Sequence, residues 1–100
     1  MKTEFQNAII RKLKLLREER GLSQAAIAKI LGISSGQIGN IESYKHPHKY
    51  TIKQISILCE NLHLNIAELF LTDITVIDVT FINRLIDQII KYQENDTKNY

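Results

Sequence analysis

Tryptophan is absent from these 100 residues, and cysteine, methionine and proline occur once each. A single thiol, Cys59, can form neither an intrachain disulfide nor a cysteine-rich zinc cluster, so nothing demands an oxidising compartment. One proline and four glycines exclude a collagen-like or low-complexity chain. Long apolar runs are also missing. No stretch of about 18 such residues occurs, and Met1-Lys2-Thr3-Glu4 is not followed by the uninterrupted apolar segment of a secretory leader. The expectation is a cytoplasmic protein with no membrane partner. Catalytic signatures are lacking too: there is no G-x-S-x-G, H-E-x-x-H or P-loop pattern, so no enzymatic activity is expected. His46 with His48, and Cys59 with His63, supply too few ligands for zinc. Cys59 falls on the apolar stripe of a helix instead, and no metal or cofactor is expected.

What is present suits one compact domain: 44% of the residues are hydrophobic and 24% charged, in a chain of ordinary domain length. The net charge of +2 conceals an asymmetry. Residues 1–53 hold ten Lys/Arg against four Asp/Glu, giving +6, whereas residues 54–100 hold three against seven, giving −4. A basic first half is the electrostatic footprint of a polyanionic partner, although charge alone does not specify a fold.

Apolar spacing and capping residues predict an all-α chain. Phe5, Ile9, Leu13 and Leu16 recur at helical intervals behind Thr3 and Gln6, a capping-box pair, and Gly21 can end that helix. Ser23 caps a short helix carrying Ile27, Ile30 and Leu31, which Gly32 stops. Ser34 with Gln37 opens a third helix containing Ile38 and Ile41, and Thr51 with Gln54 opens a fourth with Ile55, Leu58, Cys59 and Leu62. Asn65 with Glu68 opens a brief fifth. Between helices three and four, the basic and aromatic stretch from Ser43 to Tyr50 contains Pro47 and reads as a solvent-facing loop.

The informative stretch is Ser23 to Glu42: two short helices joined by a glycine turn, with Ala28 small enough for close helix approach. Periodicity alone fits either an αα-hairpin of a bundle or a reader of DNA. At about 100° per residue, Ser35, Gly36, Gly39, Asn40, Ser43 and Tyr44 share the outward arc, while Ile38, Ile41 and Glu42 face inward. A carboxylate turned inward requires a cation or hydrogen bonds.

The segments Leu16 to Gln24, Ala28, Gly32-Ile33-Ser34, Gln37-Ile38, Ile41-Glu42 and Leu58 to Phe70 resemble the phage Cro and repressor-type family, the lambda-repressor-like or XRE helix-turn-helix domain. The likeness covers about residues 6–71. It implies a five-helix DNA-binding domain, to which this chain adds a C-terminal helix. It further implies that Gln24 bonds a phosphate at a helix N-terminus and that Ser34, Ser35, Gly36, Gln37 and Asn40 enter the major groove. Arg17 is the implied partner of Glu42, a structural ion pair. Ser43, Lys45 and Lys49 are expected DNA contacts following the recognition helix (about residues 34–44), and His46 and Tyr50 lie in the same stretch. Asn40 and Gln37 are the side chains best suited to pair with adenine, although capping competes for Gln37.

The module is expected to span residues 1–71, an extension 72–93, and a flexible tail 94–100. Ile74 to Val79 is rich in β-branched residues, and Ile82, Leu85, Ile86, Ile89 and Ile90 then form an apolar helical stripe. That stripe is assigned to a homodimer contact, the competing role being completion of the monomer core. The expected function is a sequence-specific transcriptional regulator, a repressor acting as a homodimer on a palindromic operator in double-stranded DNA. The alternative is a protein-interaction adaptor that keeps the scaffold without reading bases. No small-molecule effector can be inferred.

Overall fold

The computed structural model describes residues 1–71 and 79–97. Among the described residues six helices follow in chain order: α1 (Glu4–Glu19), α2 (Gln24–Leu31), α3 (Ser35–Glu42), α4 (Ile52–Asn61), α5 (Ile66–Phe70) and α6 (Val79–Thr97). All are α-helices, so the architecture is the expected all-α one with a further C-terminal helix. The β-branched residues 74–78 lie outside the described residues. α6 continues to Thr97, past the expected boundary at 93, because no Gly or Pro interrupts the run from Val79.

The helix starts follow the capping chemistry. Thr3, Ser34 and Thr51 each form a full capping box with Gln6, Gln37 and Gln54, and Ser23 and Asn65 cap α2 and α5. Three helix ends share one geometry. Leu22 N bonds Arg17 O, Ile33 N bonds Ala28 O and Leu64 N bonds Cys59 O, each closing the six-residue loop of a Schellman motif. The left-handed residue is glycine twice, Gly21 and Gly32, but His63 at φ 54 after α4.

The core gathers Ile9, Ile10 and Leu13 of α1 with Ile27, Ile38, Ile41, Ile55 and Leu58. α2 packs most closely against α3 and α4. Tyr50 belongs to this core at 2% exposure, which corrects its expected place in a solvent-facing loop. The basic loop turns inward at its last residue, and a run without periodicity gave no sign of it.

α6 closes the opposite side. Tyr92 is 1% exposed, meets Phe70 edge-on at 5.9 Å, and donates its hydroxyl hydrogen to Tyr50 O at 2.9 Å. Gln6, fully buried, accepts Thr3 N through Oε1 and donates from Nε2 to Tyr92 O at 3.0 Å. The capping glutamine of α1 therefore also tethers α6. Leu85 and Ile89 pack against the same core, whereas Ile82, Ile86 and Ile90 remain 49%, 48% and 42% exposed. The five-residue stripe is thus divided along its length, one edge packed on the core and the other exposed. No described helix is long and apolar enough to cross a membrane.

Candidate nucleic-acid interface

α3 is a short helix held at both ends and along one side. At its start, Ser34 Oγ accepts Gln37 N at 3.1 Å, and Gln37 Oε1 accepts Ser34 N at 2.9 Å. Its inner side buries Ile38 and Ile41 at 0% and 5% exposure. Ser34, Ser35, Gly36 and Gln37 are exposed, and Gly39 and Asn40 half-buried, so the expected outward arc forms one surface. Gln37 spends its carbonyl oxygen on the cap, leaving Nε2 to donate outward. Asn40's amide makes no hydrogen bond among the described residues, and both its donor and its acceptor remain available for a base edge.

Beneath this surface lies a polar network. Arg17 donates from Nε to Glu42 Oε2 and from Nη2 to Glu42 Oε1, both at 2.8 Å, and from Nη1 to Leu22 O at 2.8 Å. This bidentate geometry is the strongest form of the Arg–carboxylate pair. The hydrogen bonds to Glu42 hold the guanidinium pKa above its ordinary value against the opposing effect of burial. Gln24 joins by donating from Nε2 to Glu42 Oε1 at 3.0 Å. The nitrogen carries a second hydrogen, so Gln24 can bridge Glu42 and an incoming phosphate. Its Oε1 lies 3.6 Å from where a Cβ on Gly39 would stand. Burial, and then the Glu42 charge, push the Tyr50 phenol far above the ordinary tyrosine range.

At the other end of α3, Lys2 Nζ donates to Ile41 O and Ser43 O, both at 2.7 Å. No local pattern in the sequence marks Lys2, because its bond to Ile41 O spans 39 residues; the one hint is that α3 has no basic residue in its last turn. Ser43 Oγ accepts Lys45 N at 3.4 Å. Lys45 is exposed and Lys49 half-buried. Lys2 and Lys45 border a hollow of about 240 Å³ with Asn7, Tyr44, His46 and Pro47. The His46 and His48 rings lie 6.2 Å apart, and among the described residues no group of three metal-ligating side chains forms. Cys59 is 7% exposed, and burial pushes its thiol pKa up.

The structure thus brings Gln24, Ser34, Ser35, Gly36, Gln37 and Asn40 to one polar surface, with Ser43 and Lys45 at its edge. No curated protein and no solved structure matches the chain. A family model described as a helix-turn-helix domain matches residues 10–75, a span that contains α2, the Gly32 turn, α3 and the Arg17–Glu42 pair behind them. The chain therefore belongs to the helix-turn-helix domain family.

Proposed function

We propose that the chain is a sequence-specific DNA-binding transcriptional regulator of the Cro and repressor type, inserting α3 into the major groove. The observation that carries this reading is the polar side of α3. It stands clear of the chain's own core with an Asn40 amide that is unpartnered among the described residues, while Arg17, Glu42 and Gln24 fix the helix from behind. A groove about 12 Å wide admits one such helix. Gln24 at the start of α2 and Lys45 and Lys49 after α3 supply phosphate contacts, and Asn40 leads base reading, with Gln37 Nε2, Ser34 and Ser35 beside it. Glycines at 36 and 39 let the α3 backbone approach closely.

Repression follows from occupying an operator in competition with polymerase, with two copies on a palindrome, their reading helices about 34 Å apart. Ile82, Ile86 and Ile90 recur every four residues and stay exposed, and this half of the stripe is assigned to the homodimer. Sedimentation of the full chain with and without duplex tests that assignment. A single protomer in both conditions at micromolar concentration ends it.

Selection on randomised duplexes at two salt concentrations tests the function itself. The expected result is enrichment of a palindrome, with the preference for it over random duplex lost in Asn40→Ala and binding weakened on every sequence alike in Gln24→Ala. A second reading, the interaction adaptor, draws on the two glycines, which leave α3 few base-reading side chains. Absence of enrichment at low salt from a folded chain selects the adaptor and overturns the regulator.

A further inference from the structure

We infer that Lys2 is a positioning residue for base reading by α3, an assignment that rests on the DNA-binding reading above. α3 is a weak helix for that task. It is eight residues long and includes Gly36 and Gly39, glycine being the poorest helix former after proline. The Ser34–Gln37 capping box closes its first turn. Its last turn has neither of the ordinary closures: no basic residue occurs there, and the C-cap Ser43 is extended at φ −79 and ψ 125, so no left-handed residue folds back onto the final carbonyls.

Lys2 supplies the closure from 39 residues earlier in the sequence. Its 2.7 Å bond to Ile41 O occupies a carbonyl that the helix end leaves open, its 2.7 Å bond to Ser43 O adds to the one that carbonyl accepts from His46 N, and the ammonium opposes the partial negative charge that collects there. Lys2 directly precedes Thr3, the N-cap of α1. Arg17, near the other end of α1, grips the Glu42 side chain. α1 therefore holds the end of α3 with two cations, one on backbone and one on side chain. Asn40 immediately precedes Ile41, so movement of this end displaces the amide best placed to meet a base. Lys49 stands close enough that its charge, after burial, lowers the Lys2 pKa.

The test uses the full chain and a duplex enriched by the wild type. Lys2→Met, which keeps the stem and removes the donors, is expected to weaken the enriched site about fivefold to tenfold. Binding to random duplex and the slope of log affinity against log salt stay unchanged, and Lys2→Arg restores affinity. In free Lys2→Met protein, amide exchange quickens at the end of α3 while the core stays protected. Because Lys2 acts through Asn40, Lys2→Met combined with Asn40→Ala binds no worse than Asn40→Ala alone.

A slope reduced by about one unit, with equal losses on both duplexes, identifies a phosphate contact and overturns the inference. Additive losses in the double variant, or unaltered exchange, overturn it as well. If Lys2→Met does not fold, the comparison of Lys2→Arg with wild type decides: weakened base discrimination in a folded Lys2→Arg chain overturns the assignment, and retained discrimination supports it. Failure of the wild type to enrich any duplex removes the DNA reading along with it. Faster exchange in Lys2→Met would then still report the contact itself, which separates the two failures.

Discussion

Arg17 and Glu42 are withdrawn from water to 11% and 4% side-chain exposure, and the loss of hydration is offset only while both stay paired. Replacing Arg17 with Met should leave a buried carboxylate with Gln24 as its hydrogen-bond donor and cost about 3 kcal/mol in urea unfolding. A cost below about 1 kcal/mol would show that the pair is not structural. Tyr50 sets an alkaline limit. An unfolded tyrosine ionises near pH 10, whereas burial keeps the folded phenol protonated well above that. The unfolded chain then holds fewer protons, so this contribution to stability is complete below about pH 10 and declines as pH rises beyond it. Tyr50→Phe should flatten the decline of melting temperature above about pH 10; an unaltered pH profile would contradict the burial of the ring. At this scale the sequence disclosed Glu42's inward aim through helical arithmetic, and Arg17 only through family likeness. It misplaced Tyr50, since a loop has no period from which burial can be read.

Among the elements, α1 does more than pack. α3, α4 and α5 each lack a basic residue in their last turn. Lys2 bonds the end of α3, Arg20 bonds Leu62 O after α4, and Lys12 bonds Leu69 O of α5 at 3.1 Å. Cations on and beside one helix thus complement the negative ends of three others. This revises the charge argument, because part of the +6 of residues 1–53 is engaged inside the fold and does not face a polyanion. The end of α4 offers a stability test. His63 takes the left-handed conformation that Gly21 and Gly32 occupy elsewhere, at a steric cost that glycine avoids. His63→Gly should stabilise the chain by about 1 kcal/mol, raising Tm by about 5 °C in calorimetry. A lower Tm would mean that His63 makes compensating contacts. Helix starts were legible because a cap and its partner lie three residues apart. The cationic closures were not, since their partners lie 39 to 57 residues away.

For the molecule as a whole, α6 decides whether residues 1–71 stand alone. Tyr92 fills the space beside Phe70 and bonds Tyr50 O, while Gln6 holds the Tyr92 carbonyl. One helix therefore ties the loop after α3 to the start of α1. Tyr92→Ala should cost about 3 to 5 kcal/mol by loss of a buried ring, and should lower the midpoint of the whole unfolding transition. A separate early transition confined to α6 would show instead that the module folds without it. The sequence posed dimer contact and core completion as rivals for one stripe. The fold gives Leu85 and Ile89 to the core and leaves Ile82, Ile86 and Ile90 outside, because the stripe is wider than the strip of α6 that meets the core and only one edge of it is covered.

By itself the sequence determined the helices, their starts and the polar arc of α3, all of which depend on neighbours within about one helical turn. Only the tertiary structure decided that Lys2 closes α3, that Tyr50 is core and that Gln6 serves α6. Those facts depend on which distant groups share one dry space, where an unpaired donor or acceptor is costly and each must find a partner.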